Sequence, residues 1–176
     1  MAISPIGEEQ LMNKTKIILD TDIGDDIDDA FALSIALNEP NCELLGVNTV
    51  FRNAYKRAKM ASYLIKTFNQ NIKVYAGCDV PLIANVSDLL SSEIKAKEKL
   101  DETGKYLLPQ YLPVMDQGVV EEKHAVDFII EMAHKYPHEL VVVGIGPLTN
   151  IALAIRKDPE IFKESIDINF FSVIDN

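Results

Sequence analysis

Six aspartates, Asp20, Asp22, Asp25, Asp26, Asp28 and Asp29, fall within ten residues of the run IILDTDIGDDIDDAFAL. Carboxylates this close raise one another's pKa unless a cation lies among them, so the run calls for a metal ion. All the donors are oxygen, with no His or Cys nearby, which favours a hard ion, Ca²⁺ or Mg²⁺, over zinc. Ca²⁺ accepts bidentate carboxylates and backbone carbonyls in irregular geometry, whereas Mg²⁺ prefers a compact octahedron with several waters. A main-chain carbonyl from a facing loop would tip the choice to Ca²⁺. An acidic turn leading into a helix explains one or two aspartates, because free N–H groups and the helix dipole favour carboxylates there. It does not explain six. An EF-hand fits poorly, since no Glu closes the run at the twelfth position.

These side chains need a scaffold, and the chain alternates strand and helix patterns around them. Lys16 to Leu19 is a short, β-branched apolar run ending at the aspartates, which reads as a buried strand followed by a functional loop. The segment DDAFALSIALN from Asp28 reads as a helix that is apolar on most sides, and Glu43 to Val50 as a second strand. Asn53 to Phe68 follows as an amphipathic helix with Ala54, Ala58, Ala61, Leu64 and Ile65 inward. Lys73 to Ala76 is a third strand. Residues 78 to 122, with a charged helical run SSEIKAKEKL, form the kind of long connection that serves as a lid, an insertion or a binding loop. Ala125 to Lys135 is helical, Leu140 to Ile145 is a uniformly apolar strand, and Gly146-Pro147 leads into the helix TNIALAIRK.

This order predicts an α/β fold: a doubly wound, mostly parallel sheet with helices on both faces. Ligands in such sheets sit beyond the carboxyl ends of the strands where the order reverses. With strand order 3-2-1-4, the loops after Leu19 and Ile145 face one another, and the aspartates share one site with Gly146-Pro147-Leu148-Thr149-Asn150. Residues 1–13 read as a flexible lead-in, with Met12 an alternative start, and residues 14–176 as a single domain.

Composition narrows the field. A formal charge of -10 argues against nucleic-acid binding, which needs basic surface. No apolar run reaches the ~18 to 20 residues that cross a bilayer, and MAISPIGEEQLMNK has no signal-peptide pattern, so a cytoplasmic protein without a membrane partner is expected. Cys42 and Cys78 lie far apart with no Cys/His grouping, which offers neither a disulfide framework nor a zinc site. His124, His134 and His138 flank the ends of a helix and read as caps or dipole partners rather than proton donors.

The run IILDTDIGDDIDDAFAL resembles the N-terminal signature of the inosine-uridine preferring nucleoside hydrolase family, and VVVGIGPLTNIALAIRKDP is similar to its second landmark. Between them, GVNTVFRNAYKRA is similar to the segment in which that family presents an Asn to the ribose. The resemblance spans about residues 15 to 160 and implies hydrolysis of a small ribonucleoside to base and ribose, with Ca²⁺ as cofactor. By position it implies Asp22, Asp29 and the Thr149 carbonyl as metal contacts, and Asp28 and Asn53 as ribose contacts. Cleavage through an oxocarbenium-like ribosyl cation needs an activated water, which calcium supplies, with Asp22 as general base. Asn53 reads equally as a helix N-cap. Asp20 reads as a loop organiser.

This chain departs from the family's commoner D-x-D-P-G-x-D-D: Ile23 stands in place of Pro, and two residues are added before Asp28-Asp29. Aligning the helix starts makes Asp25 and Asp26 the insertion; the other register gives them the paired-aspartate role. Family members are longer, and their second half delivers a fourth calcium ligand and most base contacts. The tail SIDINFFSVIDN lacks the family's Met-Gly-Gly turn and looks like an interrupted or degenerate copy. Weak calcium binding, little hydrolase activity in this chain alone, and self-association through an uncovered sheet edge are therefore expected. Two other readings stand beside the hydrolase: a non-catalytic remnant that holds metal or ribose, and a Mg²⁺-dependent phosphatase of haloacid-dehalogenase type. The latter also opens with D-x-D, but it usually has a Thr where this chain has Gly24.

Overall fold

The first apolar run is a strand, β1 (Thr15–Thr21), and its last two residues are Asp20 and Thr21. The computed structural model describes residues 14–82, 99–101, 103–163 and 167–170. After β1 come α1 (Asp28–Asn38), β2 (Cys42–Thr49), α2 (Ala54–Thr67), β3 (Val74–Ala76), a 3-10 helix (Pro113–Gln117) and α3 (Ala125–Lys135). Then follow β4 (Leu140–Gly144), α4 (Thr149–Lys157), α5 (Glu160–Lys163) and β5 (Asp167–Phe170). Among the described residues the strands form one parallel sheet in the order β3-β2-β1-β4-β5. The winding reverses between β1 and β4, so the crevice at the carboxyl ends of the strands opens beside Asp20.

Each face of the sheet is covered because side chains alternate along the strands. Ile18, Tyr75 and Val142 pack against Phe128, Ile129 and Met132 of α3 and Ile151 and Ala154 of α4. Ile17, Leu19, Leu44, Val47 and Val74 face the other way, onto Leu33 of α1 and Ala58, Ala61 and Ile65 of α2. The helical spacing of α2 thus buries the expected alanines, and Leu64 lies half-buried at the margin. That same stripe also buries Arg57 completely.

Helix α1 is less covered than its apolar composition implies. It buries Asp29 and Leu33 but leaves Phe31 and Ile35 exposed. A groove of about 390 Å³ runs between α1 and the β1–β4 surface, lined by Leu19, Ala32, Ile35, Val143 and Ile145, with Asp28 and Asp29 at its rim.

The described part of the long connection packs on the loop after β1 and then along α2 to the start of β3, where the Glu121 amide donates to the Val74 carbonyl at 2.9 Å. Leu108 and Met115 are buried, the Gln110 amide donates to the Gly24 carbonyl at 3.1 Å, and the Val119 amide donates to Ser62 Oγ at 2.9 Å. The lead-in 1–13, residues 91–98 of the charged run and the last six residues of the tail lie outside the described residues. Both cysteines are free thiols. Among the described residues, no helix is long and apolar enough to cross a membrane.

Candidate functional site

The site grows from the end of β1. Asp20, 2 % exposed, sits on the last turn of pleat before the chain leaves the sheet. Burial pushes its carboxyl up to about 7, opposed by the Asn150 side chain that donates to it. The next residue faces the other side of the strand, where Thr21 Oγ1 donates to Asp29 Oδ1 and accepts from the Ile23 amide at 3.1 Å. One hydroxyl thereby links the strand, the loop and the first turn of α1.

The loop then brings the remaining aspartates round to the helix start. Burial raises Asp22 to about 6, with the Arg57 charge opposing and Asp25 and Asp26 adding to the rise. Asp29 is likewise raised to about 6 by burial, against its bond from Thr21. The hydrogen bond between Asp26 and Asp28 raises Asp26 to about 6 and holds Asp28 below the usual carboxylate range. Asp28 Oδ1 also accepts from the Asp29 amide at 2.9 Å, where a carboxylate meets the free N–H groups of α1. Asp26, Asp28 and Asp29 each offer an oxygen within 4.8 Å of the others, an all-oxygen set that suits a hard cation.

Two further loops close on this one. After β4, Gly146 packs so tightly on Asp22 that a Cβ there would lie 2.8 Å from Oδ1 and 2.9 Å from the amide nitrogen. Only glycine permits that approach, so the G-P-L-T-N loop and the aspartate loop meet as the 3-2-1-4 order predicts. Thr149, buried, opens α4 directly behind this contact, its amide donating to the Pro147 carbonyl at 2.8 Å. After β2, Phe51 and Arg52 adopt positive φ, 71° and 47°, and deliver Asn53 to the start of α2. Non-glycine residues in that region carry strain, which collects at functional loops.

Asn53 stands in the N-cap position of α2, yet its side chain makes no capping bond. The cap comes from Asp79, whose Oδ1 accepts from the Ala54 amide at 2.7 Å. Asn53 instead turns its Nδ2 to the Tyr106 carbonyl at 2.8 Å and to Asp101 at 3.4 Å. His124 caps α3 by accepting from the Val126 amide at 3.3 Å, and His134 pairs with Asp158 at 2.7 Å near the amino ends of the strands. Asp25 is engaged by Arg57 at 2.9 Å.

Sequence reasoning missed Arg57 and the reach of Asn150. Arg57 carried a signal, because it is a cation three residues after Ala54 and four before Ala61 on the inward stripe of α2. Asn150 gave no such sign, since its partners are Asp20 of β1, Thr49 of β2 and Cys78 just after β3.

Residues 17–169 match the model of the inosine-uridine preferring nucleoside hydrolase family. Among curated proteins, the chain is 34% identical to a probable uridine nucleosidase 2 of Arabidopsis thaliana, over 86% of this chain and 45% of that one. It is 32% identical to a pyrimidine-specific ribonucleoside hydrolase of Escherichia coli (strain SE11), over 89% and 47% respectively. Among solved structures, a purine-preferring ribonucleoside hydrolase from Gardnerella vaginalis superposes with a TM-score of 0.67 at 30% identity, covering 88% of this chain and 48% of that one. The chain spans about half the length of the curated relatives it matches.

Proposed function

Because this chain belongs to the inosine-uridine preferring nucleoside hydrolase family, we propose that it supplies the metal-binding and ribose-binding part of a site that hydrolyses the N-glycosidic bond of ribonucleosides, with Ca²⁺ as its ion. The observation that carries the reading is the packing of Gly146 on Asp22, which joins the two loops that hold the candidate ligands. Asp22, Asp29 and the Thr149 carbonyl would hold the ion. Burial raises the first two carboxyls to about 6, so a bound cation would favour their ionised form.

Bound there, a hard cation would make a nearby water more acidic and fix its position. Asp22 accepts a proton from the attacking water as the water oxygen bonds to the anomeric carbon and the bond to the base nitrogen breaks, its electron pair leaving with the base, which takes up a proton from solvent. Asp28, charged and exposed at the N-terminus of α1, accepts hydrogen bonds from ribose hydroxyls and offsets the positive charge that develops on the sugar. Asn53 takes a further hydroxyl, exchanging its bond to the Tyr106 carbonyl for one to the substrate.

The test is reducing-sugar release from inosine and uridine by the purified chain with CaCl₂. Release that is lost in EDTA and in Asp22→Asn supports the reading. Calcium-dependent thermal stabilisation without any release would overturn hydrolysis by this chain and support the non-catalytic remnant that holds metal or ribose. Phosphate release from p-nitrophenyl phosphate with Mg²⁺ would instead support the phosphatase reading.

A further inference from the structure

Arg57 lies wholly inside the protein on the buried face of α2, where an unpaired guanidinium could not remain. Its donors are spent on two loops. Nε donates to the Phe51 carbonyl at 2.8 Å, in the strained loop after β2. Nη1 donates to the carbonyls of Asp22 and Ile23, the latter at 2.9 Å. Nη2 pairs with Asp25 Oδ2 at 2.9 Å.

We propose that Arg57 is a positioning residue that holds the Asp22–Asp25 turn in shape and so fixes the Asp22 carboxylate where an ion and a water are to meet it. Three observations converge on this role. The guanidinium grips the turn from both ends, at the main chain of Asp22 and Ile23 and at the side chain of Asp25, so the turn cannot shift without breaking several bonds together. The turn has little stiffness of its own, because Gly24 inside it adopts a φ of 123°, where the backbone has no Cβ to restrain it. Finally, the same fork reaches Phe51, two residues before Asn53, so a single side chain sets the spacing between the candidate metal loop and the candidate ribose loop. The Arg57 charge also opposes the rise in pKa at Asp22 and Asp29, consistent with its closeness to both. Asp25 becomes a structural counter-ion of Arg57 rather than a ligand.

The test compares the full chain with Arg57→Lys, which keeps the charge but cannot span these acceptors in one planar fork. Hydrogen exchange of segment 21–27 is read against β1 and α3 as internal controls, in EDTA and in CaCl₂. The expected result is exchange at least about tenfold faster in 21–27 with the controls unchanged, and calcium affinity about tenfold weaker by calorimetry. Unchanged exchange in 21–27 overturns the proposal. Should Arg57→Lys fail to melt cooperatively, Asp25→Asn, at a partly exposed carboxylate, carries the same readout with the same meanings. The calorimetric arm rests on the proposed metal role of Asp22. If the unaltered chain binds no Ca²⁺, that role falls, while hydrogen exchange still decides the role of Arg57.

Discussion

Asn150 Nδ2 donates to both carboxylate oxygens of Asp20, at 3.3 and 3.2 Å, across 130 residues of chain. The same nitrogen reaches the Thr49 carbonyl at 3.1 Å, and Oδ1 accepts from the Cys78 amide at 2.9 Å. One carboxamide on α4, just past β4, therefore ties together the carboxyl ends of β1 and β2 and the chain leaving β3. Gly77 lies so close to it that any side chain there would collide with the Asn150 amide.

Asn150→Leu is expected to lower stability by about 3 kcal/mol or more, because it leaves Asp20, the Thr49 carbonyl and the Cys78 amide without their partner in a buried site. Asn150→Asp preserves shape but sets a second carboxyl against Asp20. Its deficit should be largest at alkaline pH and shrink on acidification, as a proton shared by the pair relieves the repulsion. Urea melts of both variants across pH check this, and a pH-independent deficit for Asn150→Asp would contradict it.

Gly146→Ala tests the contact between the two loops. A Cβ there also comes within 3.0 Å of Val50 Cγ1, so the backbone has to move away from Asp22. Overpacking of this kind costs about 1–3 kcal/mol. The loss should be larger with CaCl₂ than without it, because the displaced loop carries Thr149. Equal losses with and without CaCl₂ would separate this loop from the metal.

How much of this was legible beforehand follows from the range of each interaction. The strands around Leu19, Val47 and Val142 showed in their apolar runs because burial on both faces of a parallel sheet demands such runs. The aspartates were visible because six like charges in one turn have few structural uses. The Asp79 cap on Ala54 and the Asn150 clasp were not visible, since they depend on where the sheet places residues 25 and 130 positions apart. Asn53 shows the ambiguity of local signals: its position is that of a cap, yet its bonds run to Tyr106 and Asp101. The exposure of Phe31 and Ile35 was equally hidden, because an apolar helix pattern does not say which face is covered.

Asn48 provides a test of a different kind. It is the sheet partner of Asp20 on β2, fully buried, and neither Oδ1 nor Nδ2 has a hydrogen-bond partner among the described residues. Such a group costs free energy that an apolar side chain would not. Asn48→Val, which suits a central strand, is expected to raise stability by about 1–2 kcal/mol in thermal or urea melts. A loss instead of a gain would show that the carboxamide has a function that outweighs its desolvation.

The pH dependence of stability follows from the aspartates themselves. Asp20 titrates at about 7 and Asp22 and Asp29 at about 6 in the folded chain, each raised from 3.8 chiefly by burial. Between these values the folded state holds protons that the unfolded state has released. Stability is therefore fully present below about pH 4 as far as these groups are concerned, and it declines as pH rises through about 6 to 7. Asp116, Asp127 and Asp158 are shifted the other way by their hydrogen-bond partners, so what they contribute is present above about pH 4 and lost only in stronger acid. They do not mask the decline. A cation that binds the ionised carboxylates competes with these protons, so stabilisation by CaCl₂ should be small near pH 4 and grow across the same window. Melting temperatures in EDTA should fall from about pH 4 to about pH 7, and the two curves, with and without CaCl₂, should diverge as they do so. Parallel curves would mean that calcium, if it binds, does so away from Asp22 and Asp29.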